Sequence, residues 1–240
     1  MTEITCIGYE AEELQAKALY WARQLNLELR KDCEQGLFLT AEKLCLKIPS
    51  FNLLAADFST HTWNKRKGEG KKQGLVRACK PGPGIKIIDA TAGWGRDSAV
   101  LASFGAEVLM VERNRVMASL LVDALDRRSV SEHEQMNLSL HQGDALTYLC
   151  DLPPQHYPDV IYIDPMHPSR TKSALVKKDM QVLQDFIGPD EDALELIKIA
   201  IQRTKNRVVV KWPQKIKSLL PTTASVEGKT VRFDIYNNFT

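Results

Sequence analysis

Long hydrophobic runs are missing from this chain: no window approaches the roughly 18 apolar residues that a membrane-crossing helix requires. The opening MTEITCIGYEAEE lacks the basic flank and apolar stretch of a secretion signal, so no membrane partner is expected. Cysteine is sparse and unpatterned. Cys6, Cys33, Cys45, Cys79 and Cys150 show no CxxC spacing and no histidines at metal-site intervals. That argues against a metal site and against a disulfide framework, and for a reducing cytoplasm. A surplus of one charge is also lacking, with 32 Lys and Arg against 30 Asp and Glu. At 44% hydrophobic and 26% charged, the 240 residues have an ordinary globular composition and suffice for one large core with an appendage.

The near-neutral total conceals a local imbalance. Residues 1–60 carry six basic against nine acidic side chains, residues 61–80 seven against one, and residues 81–240 nineteen against twenty. The whole positive excess therefore sits in HTWNKRKGEGKKQGLVRACK, where Lys65, Arg66, Lys67, Lys71 and Lys72 alternate with Gly68, Gly70 and Gly74. Basic residues interleaved with glycine can follow a phosphate backbone, and the rings of His61 and Trp63 are candidates for stacking on an exposed base. The plainer reading is a solvated linker.

The chain is organised around residues 85–112, IKIIDATAGWGRDSAVLASFGAEVLMVE. Ile85, Ile87 and Ile88 predict a buried parallel strand ended by Asp89. Gly93 and Gly95 can take positive φ and lack Cβ, so a ligand can lie against the backbone where the next helix begins. Glu112 follows Gly93 by 19 positions, close to the spacing at which a second-strand carboxylate meets ribose hydroxyls. A dinucleotide turn would place Gly or Ala three residues after Gly95, but Ser98 stands there, and Arg96 and Asp97 open the helix. An acid at that position repels a pyrophosphate and suits a ligand with positive groups, which favours S-adenosylmethionine over NAD.

On either side of this stretch the pattern is alternating strands and helices. Residues 11–24 predict an amphipathic helix with Tyr20 and Trp21 in its core, and residues 25–49 a small antiparallel sheet. Further helices are predicted at 114–128 and 189–203, and strands at 137–141, 207–211 and 231–236. Gly143 and Asp144 form a third strand-to-helix turn; Asp144 suits either an adenine amino group or a helix N-cap. The fold class expected is α/β: a doubly wound, Rossmann-like sheet over 85–240, a basic connector over 61–84 and a small α+β lobe over 1–60.

The second informative stretch is DVIYIDPMHP, residues 159–168. A buried strand delivers Asp164 and Pro165 to the carboxyl end of the sheet, where open α/β folds bind ligands. Methylating an exocyclic amine needs acceptors that hold the two N–H groups and aim the nitrogen, and Asp164 with a nearby carbonyl can supply them. His167 is placed to stack on an unstacked base. A strand-ending Asp-Pro turn is the bland alternative. Arg170, Lys172, Lys177 and Lys178 follow at once, as phosphate contacts or as the polar face of a helix.

Taken together, DATAGWGRD (89–97), VLMVERN (108–114), DPMHP (164–168), KSALVKKDM (172–180), VVVKWP (208–213) and RFDIY (232–236) resemble the ribosomal RNA small subunit methyltransferase J family. The resemblance implies a class I S-adenosylmethionine-dependent fold and methyl transfer to the N2 amine of a guanine in 16S ribosomal RNA, free or in the small ribosomal subunit, in the cytoplasm. It implies cofactor contacts at Arg96-Asp97, Glu112-Arg113, Gly143-Asp144 and Asp164. His167 stands where the family commonly has Phe or Tyr, and Trp212 replaces an arginine. The residues alone leave open an adenine-N6 methyltransferase acting on DNA or RNA, and a non-catalytic RNA-binding assembly factor. Oligomeric state is not legible.

Overall fold

The computed structural model describes residues 4–49, 51–59, 63, 73–166 and 192–238. In chain order, strand β1 (Cys6–Tyr9) and helix α1 (Gln15–Leu25) lead to β2 (Glu28–Leu29), β3 (Gly36–Leu39) and β4 (Leu44–Lys47). These form a four-stranded sheet of order β2-β1-β3-β4. The sequence predicts an antiparallel sheet, and the structure corrects this. Pairs β1–β2 and β1–β3 are parallel, and only β3–β4 is antiparallel. The physical reason is α1, a crossover that returns the chain in the same direction. All four residues of β1 are buried, so it carries no alternation to betray it. Tyr20 also departs from expectation: it is 56% exposed, while Ala18 and Ala22 occupy the buried face of α1.

Cys6 and Cys33 are disulfide-bonded. This corrects the expectation that no disulfide is indicated: the fold brings together two residues 27 apart, which linear spacing does not reveal.

After helix α2 (Gly74–Cys79) comes the larger sheet: β5 (Lys86–Asp89), α3 (Arg96–Ser103), β6 (Glu107–Glu112), α4 (Arg115–Asp126), the short helix α5 (Val130–Gln135), β7 (Leu138–Gln142), α6 (Ala145–Asp151), β8 (Val160–Ile163), α7 (Ala193–Gln202), β9 (Arg207–Pro213), β10 (Ala224–Glu227) and β11 (Val231–Asn237). Its order is β10-β11-β9-β8-β5-β6-β7. Strands β7, β6, β5, β8 and β9 are mutually parallel, and β11 and β10 close the edge antiparallel. The chain runs outward from β5 through β6 to β7 and then crosses back to β8 on the other flank of β5. That reversal opens a crevice at the carboxyl ends of β5 and β8.

Alternation along the buried strands sends successive side chains to opposite faces. Ile87, Val108, Met110, Tyr162 and Val209 face one core, shared with α3, α4 and the four-stranded sheet. Ile88, Val111, Ile161, Ile163, Val208 and Val210 face the other, against α6 and α7. Polar contacts fasten the smaller sheet to α4: the buried Leu44 N–H donates to Asp123 Oδ2 (3.0 Å), and Arg127 donates to the same oxygen (2.8 Å) and to the Ala56 carbonyl (2.7 Å). Trp63, expected as a stacking ring, is instead core: it is 4% exposed and its indole N–H donates to the Asp57 carbonyl at 2.8 Å.

Candidate active site

Residues of the same strand parity as the α3-facing core converge at the carboxyl end of the sheet. Asp89 follows Ile87, Glu112 follows Met110, Asp164 follows Tyr162 and Lys211 follows Val209, each by two positions. All four line one cleft beside α3. Sheet geometry alone thus collects three carboxylates and one ammonium around one space.

The glycine turn forms its first wall. Gly93 has φ +53° and Gly95 φ +68°, conformations that glycine tolerates without strain. The Gly93 N–H donates to Glu112 Oε2 and the Asn114 N–H to Glu112 Oε1, both at 2.8 Å, so Glu112 ties the turn to the end of β6. Asp89 lies behind it, 1% exposed, and accepts from Ser98 Oγ (2.5 Å) and from the Thr91 N–H (3.1 Å). Burial pushes its carboxyl up to about 7, against the lowering effect of those two hydrogen bonds. Ser98, noticed in the sequence only as a missing glycine, is the buried partner of Asp89.

Across the cleft is a charged constellation. Asp97 Oδ2 accepts from the Tyr162 hydroxyl at 2.6 Å and from Lys211 Nζ at 3.0 Å. Lys211 Nζ also donates to Asp164 Oδ2 at 2.7 Å, and the Asp164 N–H donates to Thr91 Oγ1 at 2.7 Å. Burial pulls the Lys211 ammonium down, but Asp164 and Asp97 together outweigh it and hold the group well above the ordinary lysine range. Tyr162 is held protonated by burial first and by Asp97 and Asp164 next. Among the described residues the wall has an acidic surplus: Asp89, Asp97, Glu112, Asp144, Asp164 and Asp192 against Arg96, Arg113 and Lys211. Such a cleft suits a cation better than a pyrophosphate.

Of the sites expected from sequence, Asp89, Gly93, Arg96, Asp97, Glu112, Arg113, Asp144, Asp164 and Pro165 all stand in this wall. Arg113 pairs with Asp192 at 3.1 Å. Asp144 caps α6, accepting from the Thr147 N–H at 2.9 Å, while still lining the cleft. Two expected ligand contacts stand outside the wall. A Cβ on Gly95 would meet the Phe58 ring at 2.6 Å and Leu121 at 3.0 Å, so that glycine serves close packing of the smaller sheet's connection. Gly143 faces His141, and its N–H donates to the Glu112 carbonyl. His167, Lys65, Arg66, Lys67, Lys71, Lys72, Arg170, Lys172, Lys177 and Lys178 lie outside the described residues. Sequence reading missed Lys211, Tyr162 and Thr91. A lysine inside the buried run RVVVKW was the signal available, since an unpaired cation does not belong there.

Comparison with known proteins agrees with this geometry. The sequence model of the family described as "Putative SAM-dependent methyltransferase" matches residues 20–238. The chain is 62% identical over 236 residues to a protein of Legionella pneumophila (strain Corby), covering 98% of this chain and 97% of that one. It is 48% identical over 251 residues to one of Coxiella burnetii (strain Dugway 5J108-111), covering 98% of each. Both relatives bear the name Ribosomal RNA small subunit methyltransferase J. Among solved structures, a SAM-dependent methyltransferase from Neisseria gonorrhoeae superposes with a TM-score of 0.69 at 27% identity, covering 98% of this chain and 96% of that one.

Proposed function

The chain belongs to the ribosomal RNA small subunit methyltransferase J family of SAM-dependent methyltransferases, and from that premise we propose that it methylates the exocyclic N2 amine of a guanosine in 16S ribosomal RNA. The observation that carries the reading is the placement of Asp164 and Pro165 in one cleft wall with Asp89, Gly93 and Glu112. A donor held by the glycine turn and an amine held at Asp164 then meet within a single space.

The residues present fit S-adenosylmethionine. Glu112, at the end of β6, offers carboxylate oxygens toward ribose hydroxyls. Asp97 and the acidic surplus around it suit the ammonium and sulfonium groups. Asp144 and Arg113 complete the proposed cofactor wall, with Arg96 and Gly93 at the helix entrance. When bound, the cofactor supplies an electrophilic methyl group.

Asp164 accepts an N–H of the target amine and, with a neighbouring backbone carbonyl, turns the nitrogen lone pair toward that methyl. A donor held by Asp97, Glu112 and the glycine turn would supply its methyl to the nitrogen that Asp164 aims and would keep the former bonding pair on its sulfur. The nitrogen, positively charged and so acidic, would then pass a proton to the Asp164 carboxylate that already accepts its N–H. No strong base is needed at the outset, so positioning and electrostatics do most of the work.

On this reading His167 stacks on the extruded base, and Lys65, Arg66, Lys67, Lys71, Lys72, Arg170, Lys172, Lys177 and Lys178 grip RNA phosphates. A ribosomal substrate places the reaction in the cytoplasm, where reductants would act on the Cys6–Cys33 bond.

The test is incorporation of label from methyl-labelled S-adenosylmethionine into naked 16S RNA, assembled small subunits and DNA, side by side. Label in the ribosomal substrates supports the proposal. Label confined to DNA, or tight cofactor binding with no transfer to any polymer, would contradict it.

A further inference from the structure

Lys211 lies within VVVKWP, a stretch to which no site role was assigned, yet it is the point at which the two halves of the cleft meet. Its ammonium lies 3.0 Å from Asp97 on α3 and 2.7 Å from Asp164 beyond β8. An ammonium has three donors in tetrahedral array, enough to hold two carboxylates at once. Resting on the reaction proposed above, we infer that Lys211 is a positioning residue for methyl transfer, one cation that fixes the cofactor-side acid Asp97 and the acceptor-side acid Asp164 in a common geometry.

Two observations separate holding from proton abstraction. The carboxylates keep Lys211 protonated, so it has no lone pair with which to take a proton from the amine. It also has no competing role in the sheet, because its backbone already pairs with Phe233 of β11 while its side chain points to the cleft. Without the cation, like charges on α3 and after β8 would share one partly desolvated space, and the favoured relief is separation or protonation of one of them. Tyr162 donates one hydrogen bond to Asp97 but brings no charge. Asp89 and the fully buried Cys79 thiol add negative or neutral groups behind it. Among the described residues Arg113 pairs with Asp192 on the far rim, and Glu112 is engaged by the glycine turn.

The prediction is non-additivity. Lys211→Met, of similar length and no charge, lowers kcat about 100-fold, as loss of orientation at a reacting centre does, with the KM for RNA unchanged. Lys211→Arg, which can bridge two carboxylates, recovers to within about tenfold of the wild type. The double variant Lys211→Met/Asp164→Asn is slower than Asp164→Asn by far less than about 100-fold, because Lys211 acts on the acceptor through Asp164. Titration with S-adenosylhomocysteine gives a second cycle that needs no acceptor: Lys211→Met/Asp97→Asn binds no more weakly than Asp97→Asn. Should Lys211→Met fail to fold, Lys211→Gln enters both cycles in its place. Losses that multiply in both cycles, or a kcat for Lys211→Met within threefold of the wild type, overturn the inference. If the wild type transfers no label to ribosomal RNA, the reaction reading falls, while the cofactor-affinity cycle still decides the role of Lys211.

Discussion

Asp89 and Asp164 are both aspartates at the carboxyl ends of adjacent parallel strands, but their surroundings give them different duties. Asp89 is sealed behind the glycine turn with Ser98, and burial raises its carboxyl from 3.8 to about 7. The folded-state value lies above the unfolded one, so its contribution to stability is fully present below about pH 4 and is lost as pH rises through about 7. The span amounts to at most on the order of 4 kcal/mol. Unfolding free energies of the wild type and Asp89→Asn, measured from pH 4 to 8, should therefore diverge in the variant's favour with rising pH; parallel curves would show that Asp89 ionises normally. Asp164 is ion-paired at the cleft surface instead. Asp164→Ala should lower kcat by at least about 100-fold and shift the thermal midpoint little, since Lys211 keeps Asp97 as a partner. Turnover near the wild-type rate would remove Asp164 from the mechanism. Both aspartates were legible in the sequence because each ends an apolar run. Lys211 was not, because its meaning depends on strand parity shared with Asp164 and on the approach of Asp97, which only pairing in three dimensions supplies.

Elements decide how firmly the glycine turn is held. The turn between β5 and α3 is pinned from one side by Glu112 and packed from the other by Phe58, which is 1% exposed and belongs to the segment arriving from the smaller sheet. Gly95→Ala introduces both a positive-φ penalty and a Cβ at 2.6 Å from that ring. Its expected cost is roughly 2–4 kcal/mol, from about 1 for the backbone and 1–3 for overpacking. Gly84→Ala carries a similar φ of +79° with nothing within 4 Å, and should cost only about 1 kcal/mol. Urea unfolding of the two variants checks the contrast; equal losses would mean that Phe58 yields freely. The central parallel strands were readable because their apolar runs are rich in β-branched residues and lie between turn residues, as in RVVVK and DVIYI. Strand β1 and the mixed pairing of the smaller sheet were not, because a four-residue strand buried throughout offers no period to detect.

At the scale of the whole molecule, charge is divided by task. Among the described residues the cleft wall is acidic and suits a cationic cofactor, whereas the positive excess of the chain is concentrated in residues 61–80. The acidic wall is matched to a cationic methyl donor, and the basic stretch is the feature of the sequence proposed to meet a polyanionic substrate. Replacing Lys65, Arg66, Lys71 and Lys72 by Ala should weaken RNA binding and reduce the slope of log affinity against log salt by about 0.7 for each single-strand phosphate no longer neutralised. An unchanged slope would make that stretch a connector only. Separated motifs in order along the chain made the family legible from sequence, whereas the assembly of Asp97, Tyr162, Asp164 and Lys211 had to be seen folded. The most direct test is the identity of the product: digest small-subunit RNA after reaction with labelled S-adenosylmethionine and identify the labelled nucleoside by mass. N2-methylguanosine is the product expected from the proposed reaction; label in N6-methyladenosine would contradict it.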